Sequence, residues 1–336
     1  MPRFLPEPPL GHHPARVGIL LINLGTPTAP TPEAVRPYLR QFLSDQRVVE
    51  LARWLWQPLL RGIILPFRAK KSAHGYQQIW QPQGSPLAVL TAKQAAALQR
   101  QLPQVLVEHA MSYGEPSVAD TIASMKAQGV NRLLAIPLYP QYAASSSGAA
   151  LDKVLNELTK QRNQISLRTV SRFYNHPDYI QAMAEHIRAH WQQHGRGQRI
   201  LFSFHGIPEA AVQQGDPYAA ECRASAQLLA EALHLSPQEW YLAFQSRFGR
   251  ARWVGPATSD LLTELPAKHN VRELDVFCPG FVSDCLETLE ELAIQGREQF
   301  HEAGGRTFRF IPCLNDNPVF IQALADLARE NLGGWV

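Results

Sequence analysis

No apolar run in this sequence reaches the roughly 20 residues that a membrane-spanning helix needs. No two of its four cysteines, at 222, 278, 285 and 313, form a CxxC pair, which excludes zinc-ribbon and thioredoxin-type signatures. Neither GxGxxG nor GxxxxGKS/T follows any apolar run, which argues against dinucleotide and P-loop chemistry. There is no Lys- or Arg-rich block and the net charge is only +3. Nucleic acid is therefore not an expected partner, and the charge permits only a weak preference for anionic small molecules. The opening residues, MPRFLPEPPLGHHPAR, lack the apolar core of a signal peptide. Residues 1–15 read as a flexible lead-in, and the chain as cytoplasmic with reduced, mostly buried thiols.

What is present is an ordinary globular composition, 45% hydrophobic and 18% charged over 336 residues, long enough for two lobes. Short runs rich in Val, Ile, Leu and Phe, each stopped by Gly, Pro or polar residues, read as buried parallel strands at 17–27, 105–116, 132–142 and 166–174. The figure returns at 199–208, 240–249, 273–281 and 308–316. Segments with helical apolar spacing lie between them, so the fold class expected is α/β, two doubly wound lobes with a four-stranded parallel sheet each.

The first lobe is placed at 16–175, with an insertion at 30–95 read as a cap or rim, and the second at 176–317. Residues 318–336 read as a C-terminal helix packing back on the first lobe. Inside the insertion, Leu51 to Phe67 is greasy but broken by Arg53, Pro58 and Arg61. Packing inside the protein is the preferred reading of that stretch, and a rim touching a bilayer is the other.

Ligands of doubly wound sheets sit outside the carboxyl ends of the strands. Leu24 to Pro27, Tyr139 to Tyr142, His205-Gly206 and Pro279-Gly280 occupy such positions, and facing strand ends would enclose a cleft. His205 ends a buried strand and precedes a glycine that lets backbone approach closely. An imidazole there can take up a proton near neutral pH or, when neutral, ligate a metal. In CPGFVSDCLETLEEL, residues 278–292, Ser283 reads as a helix N-cap. Asp284, Glu287 and Glu291 then share one helical face at i, i+3 and i+7, a row of hard oxygen ligands for a divalent cation or a path for protons. A solvated acidic face, with Asp284 complementing the helix dipole, is the plainer alternative. NLGTP, GSPL with Ser85, PLYPQY and FQSRFG can wall a flat apolar ligand. Arg247 and Arg250 could pair with carboxylates.

Taken in order, LLINLGTP, RQFLSD, GSPL, PLYPQY, SFHGIP, GDPY, FQSRFG and PGFVSDCLETLEEL closely resemble the ferrochelatase family. The likeness extends from Val17 to about Leu327. It implies two Rossmann-like lobes and insertion of ferrous iron into protoporphyrin IX to give haem. By motif it puts the catalytic histidine on His205 and the key glutamate on Glu287. Asp284 and Glu291 fall on a metal or proton path, which makes His205, Glu287, Asp284 and Glu291 the metal-handling candidates. Leu24, Tyr142 and Ser85 are the substrate-binding candidates.

The sequence also departs from its relatives. Some carry an iron–sulfur cluster on cysteines near the C-terminus, whereas nothing after Cys313 is cysteine here; no cluster and no resident cofactor are expected, iron being a substrate. Some have a second histidine where this chain has Cys285. Leu24 favours protoporphyrin over its more carboxylated precursor, whose users tend to carry tyrosine there. The implied partners are protoporphyrin, iron and haem, with peripheral contact at the inner face of the membrane and transient contact with neighbouring haem-pathway proteins as further expectations. The rival readings are a chelatase placing cobalt or nickel in sirohydrochlorin, and a non-catalytic porphyrin carrier.

Overall fold

The run Arg16–Gly25 forms β1, buried along nearly its whole length, as a strand covered on both faces must be. It pairs in parallel with β2 (Leu106–Tyr113) on one side and β3 (Val130–Pro137) on the other, and β4 (Ser166–Thr169) completes a sheet of order β2-β1-β3-β4. The second half repeats the figure. There β5 (Arg199–His205), β6 (Trp240–Gln245), β7 (Glu273–Phe277) and β8 (Thr307–Phe310) form a parallel sheet of order β6-β5-β7-β8. The expected α/β architecture, with two four-stranded doubly wound sheets, is the one observed. This is a computed structural model, and it describes Phe4, residues 16–249 and residues 251–336.

Parallel neighbours require crossovers, and helices supply them. In sequence, α1 (Pro32–Leu43), α2 (Arg53–Leu59), α3 (Leu65–Ile79) and α4 (Pro86–Gln101) separate β1 from β2. Next, α5 (Val118–Ala127) precedes β3 and α6 (Ala149–Thr159) precedes β4. In the second half, α7 (Pro177–His194) leads into β5, and α8 (Glu209–Gln213) and α9 (Tyr218–Ala232) connect β5 to β6. Then α10 (Thr258–Lys268) connects β6 to β7; α11 (Leu286–Thr288), a π-helical stretch Leu289–Gly296 and α12 (Arg297–Glu302) connect β7 to β8; α13 (Pro318–Leu332) follows.

The chain divides into two units. One comprises the chain up to Tyr139, Ala144–Arg172 and Ile321–Val336; the other comprises Pro140–Ala143 and Phe173–Phe320. Most of α13 thus belongs with the first sheet, where the Arg168 guanidinium donates to the carbonyls of Asn331 (3.0 Å), Leu332 and Gly333 (2.8 Å). The lead-in expected at residues 1–15 lies, Phe4 apart, outside the described residues. Each unit has its own core. Leu20, Ile22, Leu133 and Ile122 meet in the first, and Leu201, Leu274, Val276 and Phe300 in the second. Each such side chain contributes roughly 1.5–3 kcal/mol by leaving water.

The stretch Leu51 to Phe67 departs from its preferred reading. Only Leu60 and Leu65 are buried, while Leu51, Trp54, Leu55, Leu59, Ile63 and Phe67 are exposed, Trp54 and Phe67 to 75%. A π-helical turn at Leu60–Ile64 carries α2 directly into α3. The apolar residues are therefore spread around one continuous helical rod, and only one stripe of it can face a core.

Candidate active site

The order of the second sheet fixes where its chemistry can lie. The chain enters at β5, steps to β6 on one side, then crosses to β7 on the other, so the strand order reverses between β5 and β7. Ligands of such sheets sit outside the strand ends at that switch point. His205 is the last residue of β5 and stands opposite Gln245, the last of β6. Phe204 beneath it is fully buried, and His205 is half-buried. The following glycine makes the tight exit: a Cβ on Gly206 would lie 2.9 Å from the Gln245 carbonyl oxygen, which instead accepts the Gly206 N–H at 2.8 Å. The His205 Nδ1 lies 2.6 Å from the Gly206 carbonyl oxygen. A carbonyl can only accept, so Nδ1 carries the proton and a neutral ring keeps its lone pair on Nε2.

The acidic segment after β7 differs from its expected form. The helix is capped by Cys285, not Ser283; the Cys285 side chain accepts from the Thr288 amide while the Thr288 hydroxyl accepts from the Cys285 amide at 3.0 Å. Three residues later the α-helix widens into the π-helical stretch Leu289–Gly296. The single face of three carboxylates therefore does not form. Asp284 precedes the helix and is buried. One of its oxygens accepts from the Thr288 hydroxyl (3.1 Å) and the Cys313 amide (3.2 Å), and the other from the Asn315 side-chain amide (2.7 Å). Asn315 in turn accepts the Asp284 N–H at 2.8 Å. Asp284 braces the start of the helix against the exit of β8. Among the described residues no three His, Cys, Asp or Glu side chains are gathered as a metal-holding group.

Glu287 and Glu291 are half-buried, and Glu291 interacts with both His205 and Glu287. Burial pushes the Glu291 carboxyl above the usual carboxylate range. The Ser246 hydroxyl, the His205 imidazole and the Ser246 amide pull it back, and the neighbouring Glu287 charge pushes it up again. The imidazole and both carboxylates thus share one electrostatic field. π-Helical widenings are frequent at functional sites, and this one carries Glu291.

Two residues of FQSRFG, a motif read from the sequence only as a wall for a flat ligand, act on the acidic segment instead. Gln245 is buried, accepts the Ser203 hydroxyl at 2.7 Å and donates to the Glu287 carbonyl at 2.8 Å. Ser246 donates its amide and hydroxyl to the two Glu291 oxygens, at 2.8 and 2.5 Å. Their one signal was position: FQSRFG ends a strand beside the switch point.

The other candidates have different surroundings. Leu24 is half-buried at the carboxyl end of β1, in the first unit. Its loop turns at Gly25, which has φ +105°. Ser85, also in the first unit, is buried and accepts the Thr26 hydroxyl at 2.8 Å, so it staples the NLGTP loop. Tyr142 lies in the second unit, where its amide donates to the buried Glu221 carboxylate at 2.7 Å. Arg247 pairs with Asp260 at 2.5 Å on the surface, an arrangement worth little, and Arg250 lies outside the described residues.

The sequence model of the family described as Ferrochelatase matches residues 16–332. The chain belongs to the ferrochelatase family. The ferrochelatase of Neisseria gonorrhoeae is 61% identical over 333 residues, covering 99% of each chain. That of Nitrosomonas europaea is 49% identical over 341 residues, covering 100% of this chain and 93% of its own. Among solved structures, SirB from Bacillus subtilis with Fe3+ superposes with a TM-score of 0.56 at 12% identity, over 95% of this chain and 97% of that one. At that identity the likeness is one of fold alone, over nearly the whole of both chains. Ferrochelatases are metal chelatases, so membership of the family makes the chain an enzyme.

Proposed function

We propose that His205 is the general base of iron insertion and that Glu287 and Glu291 receive the cation and carry protons away. The reaction itself is that of the family: ferrous iron enters protoporphyrin IX, two pyrrole N–H protons leave, and haem is formed, the last step of haem synthesis. The observation that carries the assignment is the commitment of His205 Nδ1 to the Gly206 carbonyl, which leaves Nε2 as the basic atom, with the Glu291 carboxylate in reach to stabilise the imidazolium that results. Tyr142, on its anchored loop in the same unit as His205, is assigned to the wall of the porphyrin pocket, and Leu24, at the tip of β1, to substrate binding. A ring bent on binding offers its nitrogen lone pairs to the metal. Asp284 and Ser85 are assigned to bracing, on the strength of the hydrogen bonds that occupy them. The scheme uses no resident cofactor and no iron–sulfur cluster.

Anaerobic insertion followed by absorbance tests the substrate. Ferrous iron with protoporphyrin is expected to turn over at least a hundredfold faster than cobalt with sirohydrochlorin, a difference of about 2.7 kcal/mol in barrier. Faster turnover of the second pair would overturn the reading.

We further place the protein in the cytoplasm, in peripheral contact with the inner face of the membrane. Among the described residues no helix is long and apolar enough to cross a bilayer, so the contact would be interfacial. Supporting it, the exposed Trp54, Leu55, Leu59, Ile63 and Phe67 stand among Arg53, Arg61, Arg68, Lys70 and Lys71, with no Asp or Glu between residues 51 and 79. Apolar contact plus about 1 kcal/mol per basic residue draws such a segment to anionic lipid. Flotation with phosphatidylglycerol vesicles is expected to fall severalfold in the Trp54→Glu, Leu55→Glu variant. Equal flotation of both proteins would remove this segment from the account.

A further inference from the structure

Ser246 lies immediately beyond β6 with φ +64°. For a residue with a side chain this left-handed conformation costs roughly 1–2 kcal/mol, and glycine adopts it freely. Serine at such a place is worth its cost only if the hydroxyl does something glycine could not. Here it does: the turn aims the amide at Glu291 Oε1 (2.8 Å), and the side chain brings Oγ to Oε2 (2.5 Å). One residue thus holds both oxygens of one carboxylate, and two anchor points fix the position and the rotation of that group. The residue before it does related work on the backbone, for Gln245 Nε2 holds the Glu287 carbonyl at 2.8 Å. Both residues are buried, so water competes little for these bonds.

We propose that Ser246 is a positioning residue for iron: its hydroxyl, acting with its amide, presents the Glu291 carboxylate in one orientation to the incoming cation. The inference rests on the role given to Glu291 above. An anchored carboxylate meets the metal without first being ordered, so the benefit falls on iron and not on the porphyrin.

The test compares steady-state kinetics of Ser246→Gly, Ser246→Ala, Glu291→Gln and the double variant Ser246→Gly, Glu291→Gln, each checked by thermal melting. The glycine variant keeps the amide and relieves the backbone, so it isolates the hydroxyl; the alanine variant loses the hydroxyl and keeps the strain. Losing a hydrogen bond to a charged group is expected to raise the iron KM about tenfold in both, with the porphyrin KM within about twofold of wild type and the glycine variant melting no lower than wild type. The double variant is expected to be no worse than Glu291→Gln alone, because the hydroxyl acts through that carboxylate. A wild-type iron KM in Ser246→Gly, a defect confined to Ser246→Ala, or additive losses in the double variant would each overturn the proposal. If Glu291→Gln inserts iron normally, the role of Glu291 falls and takes this inference with it. If Glu291→Gln is impaired while Ser246→Gly is not, only the inference about Ser246 falls.

Discussion

Replacing His205 with alanine is expected to slow iron insertion by roughly 10²–10⁴-fold, the range that a positioned general base contributes. The loss should be chemical and not a failure to fold. His205 is half-buried at the end of its strand, and its side-chain hydrogen bond among the described residues runs to its own neighbour's carbonyl. The strand is held by the fully buried Leu201, Phe202 and Phe204 and by its parallel pairing to β6 and β7. The melting temperature should therefore change little, since one such bond is worth about 1 kcal/mol. Porphyrin binding should persist, because the grip on the ring is assigned to other residues. An alanine variant that binds the porphyrin, melts normally and inserts iron hardly at all is the expected result, read from absorbance under anaerobic conditions.

The second large effect is on stability and falls on a different member of the same segment. Asp284→Ala would leave the Thr288 hydroxyl, the Cys313 amide and the Asn315 side-chain amide without their common acceptor, the first two buried and Asn315 half-buried. Each buried donor left without its acceptor costs about 1–3 kcal/mol, so the loss is on the order of 3–5 kcal/mol. For a protein of this size that is roughly 4–7 °C in melting temperature. Asp284→Asn keeps one acceptor oxygen for Thr288 and Cys313 but turns an amide toward the Asn315 amide, so it should lose less, on the order of 2 kcal/mol. Calorimetry of the two variants separates the bracing role from a role in metal handling. If Asp284→Ala melted with the wild type yet lost iron affinity, Asp284 would belong with the ligands and the brace would be misassigned.

This division of labour among the carboxylates was only partly legible in the sequence. The strands could be read because parallel strands buried on both faces leave unbroken apolar runs, and their ends marked His205 and the loop before Glu287. Knowing that β5 and β7 are neighbours needed the strand order, but the repeated β-α alternation already favoured a doubly wound sheet. Asp284 could not be read in this way. Its partners at 313 and 315 lie some thirty residues downstream and meet it only once β7 and β8 are paired. The same capture delays the helix to Cys285, and the π-helical widening after Thr288 then removes the single face that simple helical spacing predicts. Ser246 was equally hidden, because a left-handed serine has no mark in sequence when glycine or asparagine is the usual sign of that conformation. The exposed residues between Leu51 and Phe67 misled in the opposite sense: apolar composition says that a surface avoids water, but not which apolar phase it meets.

The measurement that bears most directly on the central claim is chemical rescue. Iron insertion by His205→Ala is followed while imidazole is added, across a pH range that titrates it. The account predicts that activity returns in proportion to the neutral form of imidazole and that the wild-type enzyme does not respond. Wild-type turnover in the unrescued variant, or a folded, porphyrin-binding variant that no concentration of imidazole restores, would contradict the assignment of His205 as the base.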